Sequence, residues 1–287
     1  MKPTDRQRAR QARARANWDP SGPLPIGDQG DPDLLPGPDE TLDAFAGHWR
    51  IFQLKKGHRY STDDLLGAWF TVDTLESLDR LPVRALDLGT GIGSVGLFLL
   101  WKFPDLHLNG VEAQTRSLDL ARRSARFNGV ASRVQYIEGD LRSGDLGRFD
   151  LITGSPPYWN PADGTLSDGP QKGPCRFEFR GGLEDYCQAA ERSLSPGGIF
   201  VLVFDGRQHD RLERAAKESG LGIFRLRDVV AHQGREPLIL VAAMSRSSGL
   251  PMEYREEPPL ILREDGGRRS AEFRALRSEM GLPPGPV

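Results

Sequence analysis

The stretch VRALDLGTGIGSVGLFLLWKF, Val83 to Phe103, runs a short apolar strand into a turn of glycines and then into a segment whose apolar residues recur at helical spacing. Strand, glycine turn and helix in that order open a βαβ unit. The rhythm continues downstream. HLNGVE reads as a strand, TRSLDLARRSARFNG as a helix closed by Gly129, and RVQYIEGD and FDLITG as two more strands. LEDYCQAAERSL is a helix ended by SPGG, IFVLVFDG a strand, RLERAAKESG a helix, and FRLRDVV and PLILVAAM the last strands. This alternation predicts an α/β domain on a mostly parallel sheet. In such sheets ligands lie beyond the C-terminal ends of the strands, near the point where strand order reverses.

Composition sets the outer limits. With 287 residues, 38% hydrophobic and 27% charged, the chain can bury one substantial core and a small appendage. No run approaches the roughly 18 apolar residues of a membrane span. The start, MKPTDRQRARQARARANWDP, lacks the apolar stretch of a secretory signal, so a cytoplasmic protein with no membrane partner is expected. Cys175 and Cys187 have no CxxC or histidine spacing around them and read as reduced thiols, with no metal site expected.

The net charge of −2 hides an asymmetric front. Met1 to Ala16 carries Lys2, Arg6, Arg8, Arg10, Arg13 and Arg15 against Asp5 alone, and Asn17 to Ala46 carries seven acids with no Lys or Arg. Such a segment buries little apolar surface, so residues 1–45 are expected to be a disordered tail, basic and then acidic. The arginines read either as a phosphate-holding arm or as a solvated tail. The remaining organisation reads as an N-terminal helical element over 46–82 and a main domain with a C-terminal extension over 83–287.

The first strand-to-helix turn supplies Gly89, Gly91 and Gly93, where backbone can approach a ligand closely. Gly91, Gly93 and Gly96 also satisfy GxGxxG, which raises a dinucleotide reading. Asp87 weighs against it, because a carboxylate in the loop repels a pyrophosphate and attracts a cation. The second strand ends in Glu112, about 20 residues past the glycines, where an acid accepts hydrogen bonds from a ribose diol. The third ends in Asp140, and the fourth runs into FDLITGSPPYWNP, Phe149 to Pro161, a rigid diproline corner followed by two aromatic rings.

The glycine turn with Asp87 resembles motif I of the class I S-adenosylmethionine-dependent methyltransferases. The resemblance implies a Rossmann-like, seven-stranded, mostly parallel sheet with helices on both faces and S-adenosylmethionine as cofactor. It implies cofactor contacts from Asp87, Leu88, Gly89, Thr90, Gly91 and Gly93, from Glu112 and Ala113 at the ribose, and from Asp140 and Leu141 at the adenine. Ser155-Pro156-Pro157-Tyr158 resembles motif IV, (D/N/S)PPY, of enzymes that methylate planar amino nitrogens. Such a nitrogen is a poor nucleophile because its lone pair is delocalised. Ser155 oxygen and the Pro156 carbonyl, aimed by the ring constraint of Pro157, can accept its two hydrogens and turn the lone pair toward the methyl group. Tyr158 offers a face for a stacked base and Trp159 widens it, at about 1–3 kcal/mol per base.

FQLKKGHRYSTDDLLGAWF, Phe52 to Phe70, is similar to an element of the bacterial valine-tRNA adenine-N6 methyltransferases, and so is the ending from Pro258, PPLILREDGGRRSAEFRALRSE. The similarity spans about Trp49 to Glu279. It implies adenine N6 in tRNA as the acceptor, with Gln53, Tyr60 and Thr62 closing over the methionine end of the cofactor. CRFEFRGGLEDYC resembles that family's ARHE stretch and offers Arg176 and Arg180 to a phosphate, with Phe177 in place of a histidine. A second departure is Ser155, where those relatives usually carry asparagine. The long loop from Asn160 to Gly182 is expected to gate the site. Three other readings stand beside this one: a protein glutamine methyltransferase of the release-factor type, a nicotinamide-dependent oxidoreductase that leaves SPPY without a role, and a cofactor-binding regulator without catalysis.

Overall fold

In the computed structural model, which describes residues 18–158, 181–248 and 253–285, the glycine turn lies at the middle of an eight-stranded sheet. A two-stranded antiparallel hairpin, β1 (Glu40–Ala44) and β2 (Arg50–Leu54), precedes it and leads into α1 (Thr62–Ser77). Then come β3 (Arg84–Leu88), α2 (Ser94–Lys102), β4 (His107–Glu112), α3 (Thr115–Phe127), β5 (Val134–Glu138) and β6 (Phe149–Gly154). The second half holds α4 (Leu183–Ser193), β7 (Leu194–Asp205), α5 (His209–Glu218), β8 (Leu221–Val230), β9 (Pro237–Arg246), β10 (Arg255–Ile261) and α6 (Ala271–Glu279). The strand order is β10-β8-β9-β7-β6-β3-β4-β5. Only β9 runs against its neighbours; the other pairings are parallel.

The strands are apolar on both faces because helices cover both. Along β6 and β7, Leu151, Val201 and Val203 join a core shared with α1 and α2, built on Trp49, Phe52, Phe70 and Phe98. Ile152, Phe200, Leu202 and Phe204 point the other way, onto Tyr186, Ala190, Leu212 and Ala215 of α4 and α5. This is the period-two alternation of strands buried on both sides. From β3 the chain winds through β4 to β5, then returns to β6 on the opposite side. Strand order therefore reverses between β3 and β6, and their C-terminal ends flank a crevice. Among the described residues no helix is long and apolar enough to cross a membrane.

Three expectations are corrected. The sheet has eight strands rather than seven, because β10 adds to β8 in parallel at the edge. Pro258 and Pro259 lie within β10, and the register slips between Glu257 and Leu260; an edge position tolerates residues that cannot donate to a ladder. The element over 46–82 contributes β2 of a hairpin as well as a helix. Residues 18–45 are not a loose tail. Buried Glu40 receives Arg116 at 2.6 Å and Arg123 at 2.8 Å, Arg126 pairs with Asp31, and Arg123 also donates to the carbonyls of Asp33 and Leu35. Burial opposes the charge on Glu40, but the Gly37 amide and the two arginines hold its carboxyl below the usual range. The acidic stretch is thus seated on the basic face of α3. The arginine-rich residues 1–17 lie outside the described residues.

The hairpin is clipped to α3 by side chains at the helix end. Arg50 N–H donates to Asn128 Oδ1 at 2.9 Å, Asn128 Nδ2 donates back to the Arg50 carbonyl at 2.7 Å, and Phe52 N–H donates to Ser124 Oγ at 3.0 Å. Asn128 is buried, so Asn128→Ala leaves both polar groups of Arg50 without these partners. The expected result is a loss of about 2 kcal/mol in chemical denaturation.

Candidate active site

A cavity of about 560 Å³ opens at the C-terminal ends of β3, β4 and β6, beside the end of β5. That is the size of a small-ligand pocket, about 300–1,000 Å³. Its walls are the glycine loop from Leu88 to Ile92, the end of β4 from Val111 to Gln114, Gly139 to Leu141 after β5, and the corner Ser155 to Tyr158. Gly57, His58, Arg59, Ser61, Asp63 and Asp64 close it from the turn before α1 and the first turn of that helix, and Tyr186 closes it from α4.

The glycine loop is held by backbone and carboxylate together. Thr90 N–H donates to the Val111 carbonyl at 3.0 Å and Gly93 N–H to the Thr90 carbonyl at 2.8 Å. Glu112 accepts from Gly91 N–H at 3.0 Å and from Gln114 N–H at 2.7 Å, so one carboxylate ties β4 to the loop. Gly89 has φ +62°, and a Cβ there would sit 2.1 Å from the Tyr186 hydroxyl.

Asp87 is buried and accepts from Thr90 Oγ1 at 2.6 Å and Thr153 Oγ1 at 2.7 Å. Burial pushes its carboxyl up to about 6; the threonine hydroxyls oppose the shift and nearby Asp64 adds to it. Asp64 caps α1 through the Ser61 N–H at 2.6 Å and also receives Ser94 Oγ at 2.6 Å. Asp140 is clasped by Arg142, with Nε 2.9 Å from Oδ1 and Nη2 2.6 Å from Oδ2. Asp63, Asp64, Asp87, Glu112 and Asp140 thus give the cavity five carboxylates against His58 and Arg59, and Arg59 is already paired with Asp43 at 2.7 Å. Such a lining suits an adenosyl ligand carrying positive charge and disfavours a pyrophosphate.

The diproline corner leaves β6 at Gly154. Ser155 is exposed, Pro156 buried and Tyr158 half-buried. Tyr158 is fixed from three sides: its ring meets Phe204 edge-on at 5.7 Å, its carbonyl accepts from Gln208 Nε2 at 3.1 Å, and its hydroxyl donates to Asp63 Oδ2 at 3.0 Å. The corner and the carboxylate-lined loop therefore face one cavity.

Of the residues singled out in the sequence, Asp87, Leu88, Gly89, Thr90, Gly91, Glu112, Ala113, Asp140, Leu141 and Ser155 to Tyr158 lie in its walls. Gly93, Gln53, Tyr60 and Thr62 do not. Gly93 precedes α2 at φ +80°, where a Cβ would meet the Tyr136 hydroxyl at 2.6 Å, so its role is close packing. Gln53 is buried and bridges Tyr60 N–H at 2.8 Å and Asp43 at 2.9 Å; Tyr60 packs edge-on against Phe45 at 5.2 Å; Thr62 is exposed at the start of α1. Their element reaches the cavity through its neighbours Ser61, Asp63 and Asp64 instead. Trp159, Arg176 and Arg180, with the loop from Asn160, lie outside the described residues. Sequence reading missed Asp63, Asp64, Tyr186 and Gln208; only the adjacent acids in YSTDDLL carried a local signal.

Residues 62–167 match the methyltransferase small domain family. The chain is 29% identical over 238 residues to a tRNA1(Val) (adenine(37)-N6)-methyltransferase of Tolumonas auensis, covering 82% of this chain and 94% of that protein. It is 30% identical over 191 residues to the enzyme of the same name from Porphyromonas gingivalis, covering 64% of this chain and 73% of the relative. Among solved structures, a predicted O-methyltransferase from Agrobacterium tumefaciens matches with a TM-score of 0.58 at 18% identity, over 77% of this chain and 97% of that one, a likeness of fold.

Proposed function

The chain belongs to the tRNA1(Val) (adenine(37)-N6)-methyltransferase family, and from that premise we propose that it methylates the N6 amino group of an adenine in tRNA. It is an S-adenosylmethionine-dependent methyltransferase with the class I fold. The observation that carries the acceptor reading is the Ser155-Pro156-Pro157-Tyr158 corner facing the same cavity as the carboxylate-lined glycine loop.

The cofactor supplies a methyl group already activated on a sulfonium. The residues that would hold it are the glycine loop, Glu112 at the ribose and Asp140 at the adenine, with Asp87, Asp63 and Asp64 setting a negative potential around it. One oxygen of Glu112 receives the Gly91 N–H and the other the Gln114 N–H, which fixes the carboxylate in the cavity wall where the ribose would lie. Ser155 oxygen and the Pro156 carbonyl accept the two amine hydrogens, and Tyr158 presents a ring to the base. Alignment of nitrogen and methyl then lowers the barrier, a contribution that can reach about 7–11 kcal/mol in well-oriented systems. In this reading Trp159 extends the stacking surface, and Arg176 and Arg180 hold phosphates.

Asp87 makes cofactor binding depend on pH. An ionised Asp87 favours a cationic ligand, and its carboxyl titrates at about 6 in the free protein. Affinity for S-adenosylmethionine should therefore rise as pH increases through that value, and should be about tenfold weaker at pH 5 than at pH 7.5. Calorimetric titration across that range checks it, and Asp87→Asn should flatten the profile.

The acceptor is tested by incubating the protein and methyl-labelled cofactor with tRNA lacking the modification, with DNA, and with a release factor. Label recovered as N6-methyladenosine from tRNA is the expected result. Label in a release-factor glutamine or in DNA alone would overturn the acceptor reading and leave the cofactor assignment intact.

A further inference from the structure

An amino nitrogen that has accepted a methyl group carries one proton too many, and the corner itself offers no carboxylate to take it. The departure at Ser155 bears on this. A side-chain amide accepts a hydrogen bond at its oxygen but does not pass a proton on, whereas a hydroxyl accepts at its oxygen and donates its own hydrogen. Ser155 and Tyr158 both line the cavity, three residues apart on the same corner, and the Tyr158 phenol donates to Asp63 Oδ2 at 3.0 Å.

We propose that Asp63 is the terminal proton acceptor of methyl transfer, reached from the target nitrogen through the hydroxyls of Ser155 and Tyr158. The inference rests on the proposed function only in requiring an amine seated at Ser155. The last donor of the chain is in place, Tyr158 O–H on Asp63; with an amine N–H seated on Ser155, the Ser155 O–H turns to the neighbouring Tyr158 oxygen. An N–H bond breaks and its electron pair stays on nitrogen. Ser155 takes that proton and gives its own to Tyr158, which gives its own to Asp63. One N–H is lost, one Asp63 O–H is formed, both hydroxyls keep one hydrogen, and the positive charge on nitrogen and the negative charge on the carboxylate disappear together. While the nitrogen is becoming cationic, the same aligned O–H bonds ending on an anion stabilise it.

The position of Asp63 follows from the sequence around it. Ser61 and Asp64 form the capping box that starts α1, which places Asp63 in the first turn facing the corner. The groups facing its carboxyl are Asp64 on the same helix, His58 on the preceding turn, and Tyr158 from the corner. Burial first, and then Asp64, raise its proton affinity, while the bond from Tyr158 and the charge of His58 oppose them. The net shift is upward, the direction an acceptor needs.

The test compares wild type, Tyr158→Phe, Asp63→Asn and the double variant in single-turnover methylation with saturating cofactor. Tyr158→Phe keeps a ring for stacking and breaks the chain; Asp63→Asn keeps an acceptor for the phenol but cannot take the proton. Each is expected to slow transfer about 10- to 100-fold, within the range of general-base effects. Acceptor affinity should stay within about threefold in each variant and cofactor affinity likewise in Tyr158→Phe, saturating cofactor offsetting the weaker binding that loss of the Asp63 charge brings, and the double variant should be no slower than the slower single one. Unchanged rates in both variants, or losses that multiply in the double variant, would overturn the proposal. A second readout needs no turnover: carbon-13 NMR of the ligand-free protein should show the Asp63 carboxyl titrating higher in Tyr158→Phe, because a donated hydrogen bond is gone. No response there would also count against it, even if Asp63→Asn did not fold. If wild type methylates a release factor rather than tRNA, the same comparison is run on that acceptor, so the two claims fail separately.

Discussion

Tyr158→Ala is expected to lower methyl transfer by about two to three orders of magnitude while cofactor affinity changes less than about threefold. Loss of the ring removes a stacking surface contributing about 1–3 kcal/mol. It also frees the target amine from alignment, where small misplacements cost about 100-fold. Each 1.4 kcal/mol or so is a factor of ten in rate, so the two together account for the range. The ring also meets Phe204 at 5.7 Å and hydrogen-bonds Asp63, so a modest fall in melting temperature should accompany the kinetic loss. Steady-state kinetics with tRNA and calorimetry with S-adenosylhomocysteine separate the two effects. A parallel collapse of cofactor binding would place the ring in the cofactor's pocket rather than the acceptor's.

Gly89→Ala should fail in the opposite way, losing the cofactor. At φ +62° an alanine carries a left-handed penalty of about 1–2 kcal/mol. Its Cβ would also stand 2.1 Å from the Tyr186 hydroxyl and 3.1 Å from the ring carbon bearing it. Tyr186 has little room to retreat, because it is 5% exposed and its ring presses on Gly154, where a Cβ would come within 2.8 Å of it. The loop must move instead, at a further cost of about 1–3 kcal/mol. Cofactor affinity should fall about 100-fold or more, with a lower melting temperature, and Tyr186→Phe in the same chain should restore part of it by removing the nearest atom. Unaltered affinity in Gly89→Ala would mean the cofactor does not use this loop.

The residues legible from sequence were those whose chemistry is local. The glycine turn, the acids ending β3 and β4, Asp140 following β5, and the diproline corner after β6 each follow from a strand end and its next few residues. What was not legible depends on partners distant in sequence. The stretch Asn17 to Ala46 has the composition of a solvated tail, yet Glu40 and Asp31 find Arg116, Arg123 and Arg126 on α3, more than seventy residues away. Strand β10 is obscured by Pro258 and Pro259, which argue against a central strand and are acceptable only because it lies at an edge. Tyr186 reads as one apolar position of an amphipathic helix, and its pressure on Gly89 belongs to packing across layers. Gln53 and Tyr60 are missing from the cavity because they pack on the hairpin, Gln53 between Tyr60 N–H and Asp43 and Tyr60 against Phe45, and Thr62 points to solvent at the start of α1, while Asp63 and Asp64 turn inward.

The central claim is that the glycine loop holds the cofactor so that its reactive end faces Ser155 and Pro156. A crystal structure of the protein with S-adenosylhomocysteine tests it most directly. The account predicts the ribose hydroxyls on Glu112, the adenine beside Asp140 and Leu141, and the sulfur directed at the Ser155–Pro156 corner. An adenosyl group lodged elsewhere, or a corner turned away from the sulfur, would contradict it.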